Sequence, residues 1–305
     1  MSESNKRNFI VHGSILAIAG ILVRIIGMLY RIPVVNIIGS EGNGIYGAAF
    51  NIYNIMLVLS SYGLPMAVSK LVSARFTKKR YKSAAKVLRC SLMVAVCTGG
   101  IAALLVFFGA SFIENVIYGG GLPGLAVPLR ILAPTIFLVA ILGVIRGFFQ
   151  GQCTMIPTAV SQILEQIVNA IVSIAAGYGM MKAFASSPDV AAYGAAGSTL
   201  GTAMGALTAV LFMGFLYAVY TPTFNRLKRK DRHTENQSTG QICKIIIYTM
   251  IPIILGQTFY QISALIDDVM FSNIMVGRDI TKSISMDLGN FSSSYSLLIG
   301  IPQGV

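Results

Sequence analysis

Long apolar runs separated by short charged stretches make up most of the chain. A helix needs about 20 apolar residues to cross the hydrocarbon of a bilayer. Residues 42–69, 90–113, 190–225 and 245–266 contain no charge at all. Three further spans are predicted. One covers 9–36 and is interrupted by Arg24 and Arg31. One covers 125–149, after a loop containing Gly119, Gly120 and Gly121, and one covers 155–181 and holds Glu165. A last uncharged run, 288–305, continues to Val305. The pattern predicts an all-α integral membrane protein with seven complete spans and the beginning of an eighth. A chain that stops inside an apolar run is expected to be a piece of a longer protein.

Composition agrees with this pattern. The 305 residues are 55% hydrophobic and 11% charged, whereas a soluble domain carries about 25% charged residues. Mean hydropathy is +0.73. So few charges cannot cover a surface in water. Thirty-one glycines suit helix packing in lipid, where small residues let backbones approach.

The net charge of +12 changes the picture through its distribution. The loop after the second span carries eight basic residues between Lys70 and Arg89, and the stretch before the seventh carries Arg226, Lys228, Arg229, Lys230, Arg232 and Lys244. With Lys6, Arg7 and Arg146, the latter placed in the turn between spans four and five, 17 basic residues fall on one side. Lys182, Arg278 and Lys282 fall on the other. This bias predicts a cytoplasmic N-terminus, and it assigns the basic charge to topology rather than to nucleic acid. Three regions follow: a six-helix lobe over 1–224, a basic cytoplasmic linker over 225–241, and the first helices of a second lobe over 242–305.

Chemistry inside the spans is the next question, because an ionisable group there is costly and faces protein or water. Gly13, Ala17, Gly20, Arg24, Gly27 and Arg31 recur every three or four residues and form one stripe. Arg24 lies about 22 Å into its span at 1.5 Å per residue, too deep for an ordinary interfacial anchor. Span two carries Gly47, Asn51, Asn54, Ser61 and Pro65 on a stripe. Span five carries Gln162, Glu165, Asn169 and Ser173, and span seven carries Gln257, Gln261 and Asp268 beside Asp267. Four polar stripes imply a shared hydrated interior. Amide and hydroxyl groups also serve as glue between helices, so that alternative stays open for Asn51, Asn54, Gln162, Asn169 and Gln261. Glu165 is expected to line that interior, where it pairs with Arg24 or another base or titrates, while an interfacial position stays open for Arg31, Asp267 and Asp268. Paired arginines attract anions, and the planar donor fork of arginine suits phosphate.

Enzyme signatures are absent: there is no Walker A motif, no H-E-x-x-H and no G-x-S-x-G. Cys90, Cys97, Cys153 and Cys243 have no metal-binding spacing. Neither an enzyme activity nor a cofactor or metal is expected.

Several segments carry a resemblance. They are Arg24-Ile25-Ile26-Gly27-Met28-Leu29-Tyr30-Arg31-Ile32-Pro33, Gly39-Ser40-Glu41-Gly42-Asn43-Gly44-Ile45-Tyr46, and Tyr62-Gly63-Leu64-Pro65-Met66-Ala67-Val68-Ser69-Lys70. Arg146-Gly147-Phe148-Phe149-Gln150-Gly151-Gln152, running on through Ile156-Pro157 to Glu165-Gln166, is another. Together they resemble the family of stage V sporulation protein B and related polysaccharide-biosynthesis proteins. That family lies within the superfamily of multidrug, oligosaccharidyl-lipid and polysaccharide exporters, close to the lipid II flippases.

The resemblance implies two six-helix lobes around a central cavity, alternating access, and export of a lipid-linked sugar precursor across the cytoplasmic membrane. It implies a cavity role for Arg24, with Arg31 as a second candidate. The flippases carry further cavity arginines in spans two and seven, and this sequence has none there. The expected function is a flippase for an undecaprenyl-diphosphate-linked cell-wall or polysaccharide precursor. Its expected partners are that substrate, membrane lipids and cell-wall synthesis proteins, with no nucleic acid. A cation-coupled multidrug exporter and a non-transporting membrane scaffold are the rival readings.

Overall fold

The computed structural model describes residues 3–232, 237–278 and 284–291. The described residues contain eight α-helices and no strand. The first, α1 (Glu3–Leu57), continues through a π-helical turn (Val58–Tyr62) into α2 (Leu64–Thr77). Pro65 has no N–H for the carbonyl four residues back, and the helix loosens just before it. Then come α3 (Tyr81–Phe112), α4 (Ala126–Gly151), α5 (Ile156–Ala183), α6 (Val190–Lys230), α7 (Thr239–Val276) and α8 (Ile284–Phe291). Among the described residues, six helical runs are long and apolar enough to cross a membrane.

The first of these runs, Gly13–Thr77, is 65 residues long. At 1.5 Å per residue it would measure about 98 Å as one straight rod, roughly three times the hydrocarbon core. It folds back instead. Gly39 has φ 71° and ψ 176°, a conformation that is essentially confined to glycine. Beyond it the chain returns, so that the Arg31 guanidinium lies 5.9 Å from the centre of the Tyr46 ring. A continuous helix would hold those two residues about 22 Å apart. The predicted spans 9–36 and 42–69 are therefore the two limbs of one hairpin, and the seven complete predicted spans are all helical. Of the predicted eighth span, 292–305 lies outside the described residues.

The two ends of the bundle differ in chemistry. At one end the charged α2–α3 segment meets the stretch between α6 and α7. Arg75 donates to the Gln237 side chain at 2.9 Å, the Lys82 amide donates to Asp231 at 2.9 Å, and the Lys86 ammonium donates to the Gln237 carbonyl. This end is called the basic face below. The helix α6 runs on to Lys230, so the first residues of the expected 225–241 linker continue that helix.

At the opposite face the α3–α4 loop is tied down by Glu114, whose carboxylate accepts from the Gly124 and Ala126 amides at 3.0 and 2.7 Å. The core divides in the same way. Tyr46, Tyr118, Leu122, Leu129 and Ile136 belong to a cluster towards the opposite face. Val68, Val87, Phe148, Phe224 and Ile246 belong to a second cluster towards the basic face. There Phe76 and Phe224 stack in parallel at 6.1 Å, with the Phe148 ring edge-on to both.

Helix crossings are close because small residues sit at them. On α4, Gly147 lies so near Pro65 that a β-carbon would stand 2.6 Å from the Pro65 carbonyl oxygen. On α6, a β-carbon at Gly205 would stand 2.6 Å from the Glu165 carbonyl oxygen. Outward-facing side chains are large and apolar, with Phe108 76% and Phe215 66% exposed. Such a belt is unfavourable in water and fits a lipid surround.

Candidate functional site

The polar side chains of four spanning segments meet inside the bundle. On α5 the Asn169 amide donates to the Tyr30 hydroxyl on the first limb of α1 at 3.2 Å. The Ser173 hydroxyl contacts both the Asn169 side-chain oxygen at 2.9 Å and the Ser198 carbonyl of α6 at 2.8 Å. Asn169 and Ser173 are buried. One residue on from Tyr30, Arg31 lies over Tyr46 on the second limb. The Tyr46 ring sits 4.5 Å from Phe50, and next to Phe50, Asn51 donates to the Asp268 carboxylate of α7 at 2.6 Å. Hydrogen bonds, one cation–π contact, one ring contact and residues adjacent in sequence thus lead from α6 through α5 and both limbs of α1 to α7.

The predicted residues divide unevenly over this chain. Asn169, Arg31, Asn51 and Asp268 are members of it. Asn54, Gln162 and Gln261 are half-buried, and no hydrogen bond among the described residues engages their side chains. Arg24 is exposed. One face of this half of the first limb is open, for a β-carbon at Gly20 would meet nothing within 4 Å. Gly27, one turn further on, already touches α5: its β-carbon would stand 3.0 Å from the Gln166 side-chain nitrogen. This half of the limb still packs on one face, since Ala19 is buried, and Arg24 lies on its exposed side.

Glu165 has its base, and that base is Arg146. The two side chains meet at 2.7 Å and are only 14% and 25% exposed. Arg146 also donates to the Ser161 hydroxyl at 2.9 Å. Counted by sequence as a turn residue, Arg146 lies inside α4, five residues before its end. The 125–149 run already contained it. Its partner on another helix could not be read from spacing. Tyr30 and Tyr46 carry no signal of their own in the sequence, because aromatic residues in an apolar run look like ordinary core.

The two ends of this interior are unequal. At the opposite face α7 is stitched to the α3–α4 loop: Ser272 donates to the Tyr118 carbonyl and Asn273 to the Ile117 carbonyl, both at 2.8 Å. The buried Asn43 amide of α1 donates to the Gly289 carbonyl of α8 at 2.8 Å. At the basic face a cavity of about 810 Å³ opens between α2, the α4–α5 turn and α7. Ser69, Lys70, Ser73, Gln150, Tyr248 and Thr249 supply its polar lining. No group of three or more metal-ligating side chains occurs among the described residues.

Known proteins share this architecture. A solved transporter of the MOP superfamily from Pyrococcus furiosus superposes with a TM-score of 0.63 over 95% of this chain and 64% of its own, at 16% identity. That likeness establishes the all-α membrane exporter fold. Lipid II flippase MurJ of Bacillus subtilis is 34% identical over 176 residues, 56% of this chain and 32% of that protein. Stage V sporulation protein B of the same organism is 30% identical over 210 residues, 68% of this chain and 39% of that protein. The chain spans well under two thirds of either curated relative. The sequence profile of the polysaccharide biosynthesis protein family matches residues 10–305, and this multi-pass membrane protein belongs to that family.

Proposed function

We propose that the protein to which this chain belongs moves a diphosphate-linked saccharide lipid across the cytoplasmic membrane by alternating access. The observation that carries the reading is Arg31. Its guanidinium lies inside the bundle, between the limbs of α1, on a line of polar and aromatic side chains that reaches α5, α6 and α7. A charge in that position is costly and is kept where protein partners, a ligand or a wet cavity compensate it. Arginine matches a phosphate through its donor fork. Similarity to a lipid II flippase and membership of a polysaccharide biosynthesis family make a lipid-linked sugar the natural cargo.

In this reading residues 1–224 form the first lobe, 225–241 the linker and 242–305 the first helices of the second lobe. The basic face is cytoplasmic, and the cavity beside Lys70 is the vestibule through which the headgroup arrives. The hydrogen bonds of Ser272 and Asn273 close the far side. Arg24, exposed on the first limb, receives the diphosphate first, and Arg31 holds it deeper. Asn51, Asn54, Gln162, Asn169, Gln261 and Asp268 offer donors and acceptors to the sugar as the lobes rock. The protein acts as a transporter rather than an enzyme and uses no cofactor.

The expected result in proteoliposomes holding the full-length protein is that Arg31→Ala lowers flipping of a fluorescent undecaprenyl-diphosphate sugar by at least about tenfold. A deleted charged hydrogen bond of roughly 1.5–3 kcal/mol corresponds to that scale. Arg31→Ala and Arg24→Ala that both transport like the unaltered protein would remove the diphosphate assignment. Transport of cationic drugs in place of the sugar lipid would favour the multidrug exporter. Orientation has its own test. A green fluorescent protein fused after Lys230 should fluoresce, and alkaline phosphatase at the same place should be inactive. The reverse pattern inverts the topology.

A further inference from the structure

A second pocket lies on the basic face, apart from the polar interior. It measures about 460 Å³ and is formed by the start of α3, the end of α6 and the start of α7. Lys82, Lys86, Arg89 and Lys228 line it, together with the apolar Ala85 and Met93. We propose that this pocket binds the phosphate headgroup of an anionic phospholipid from the leaflet that the basic face meets.

Three observations support a lipid. The first is charge. Four cations converge, and two are already spoken for: Lys86 by the Gln237 carbonyl, and Lys228 by the Phe224 ring at 5.2 Å. No hydrogen bond or ion pair within the described residues engages the Lys82 ammonium or the Arg89 guanidinium. Both side chains are exposed. Asp231 sits beside the pocket, but its carboxylate accepts from the Lys82 amide.

The second is depth. Lys82, Lys86 and Arg89 recur at four and three residues along one face of α3, and Met93 follows one turn deeper. From Lys82 to Met93 the helix descends about 16 Å, from headgroup level into hydrocarbon. The third is continuity with the lipid-facing surface. Met93 is 59% and Val96 46% exposed, and the exposed Leu104 and Leu105 lie further along the same helix. Basic above and apolar below matches a phospholipid with its acyl chain laid along α3. A free phosphate ion would use only the upper half.

Such a lipid would touch α3 and α6 together with the start of α7, the two sides of the linker. A bound headgroup would therefore brace the joint across which the second lobe begins. This inference does not depend on the identity of the transported cargo.

Native mass spectrometry of the purified full-length protein, with phosphatidylglycerol and phosphatidylcholine added in equal amounts, tests the proposal. The expected outcome is preferential retention of phosphatidylglycerol, lowered roughly tenfold or more in a Lys82→Gln/Arg89→Gln variant, since each basic contact near an anionic surface adds to the attraction. A control of equal charge change outside the pocket, Lys78→Gln/Arg226→Gln, should retain the lipid. Equal retention by all three proteins overturns the proposal. So does displacement of the lipid by millimolar inorganic phosphate, which would make this a free-anion site. Displacement by an equal amount of undecaprenyl diphosphate would reassign the pocket to the cargo path and overturn it as well.

Discussion

Glu165→Gln should lower the thermal midpoint of the full-length protein in detergent by roughly 6–20 °C. Breaking one half of an ion pair costs up to about 3–5 kcal/mol where the pair is largely shielded from solvent, because the other charge is left without its counterpart. Each kcal/mol shifts the midpoint of a large domain by about 2–4 °C. Arg146 and Glu165 join α4 to α5 near the basic face, with Ser161 as a further acceptor for the guanidinium. In the Glu165→Gln variant the guanidinium keeps its charge and loses the carboxylate.

The double replacement Arg146→Met/Glu165→Leu should recover most of the loss, since removing both charges leaves no orphan. Arg24→Gln should leave the midpoint unchanged, because Arg24 is exposed and has no contact with Glu165. The readout is the heating temperature at which half of the monodisperse peak is lost in size-exclusion chromatography. A Glu165→Gln midpoint within about 1 °C of the parent would show that the pair is solvated and contributes little, as exposed pairs do.

Gly201→Leu should abolish the monodisperse protein altogether. At Gly201 the helices α5 and α6 touch through their backbones. A β-carbon there would stand 2.6 Å from both the Asn169 carbonyl oxygen and the Ser173 amide nitrogen. Neither atom is the end of a flexible side chain, so the helices must separate. Separation also pulls Ser173 away from the Ser198 carbonyl, which leaves polar groups unpaired inside the bundle at about 1–3 kcal/mol each.

Gly214→Leu serves as the comparison. It lies on the same helix, but a β-carbon there meets nothing within 4 Å, and the variant should purify like the parent. Measured by the yield of the monodisperse peak, Gly201→Ala should fall between the two. If Gly201→Leu purified normally, the close crossing of α5 and α6 would be refuted.

These residues also show how far a reading of sequence reaches. Every predicted complete span is helical, because crossing length and charge exclusion act locally along the chain. The basic face is legible for the same reason: lysine and arginine clusters mark one set of loops. Stripes such as Asn51 with Asn54, or Gln162 with Glu165 and Asn169, follow from helical period alone. What each stripe touches does not. Arg146 and Glu165 stand 19 positions apart on different helices, and nothing in either segment names the other. Asn51 and Asp268 are 217 positions apart.

The hairpin in α1 is an intermediate case. The charge break at Glu41 announced two spans, but only the backbone at Gly39 shows that they join without a loop. Hydrophobic periodicity and charge placement, read by themselves, determined that this is a multi-span helical membrane protein, which ends of its helices are basic, and which spans have a polar side. Tertiary structure decided that Glu165 belongs to Arg146 rather than to Arg24, that Arg31 lies over Tyr46, and that α7 is stitched to the α3–α4 loop. Local pattern is a property of neighbours in the chain, whereas pairing depends on how helices cross, and the crossings are set by glycines such as Gly147, Gly201 and Gly205 against partners far away in sequence.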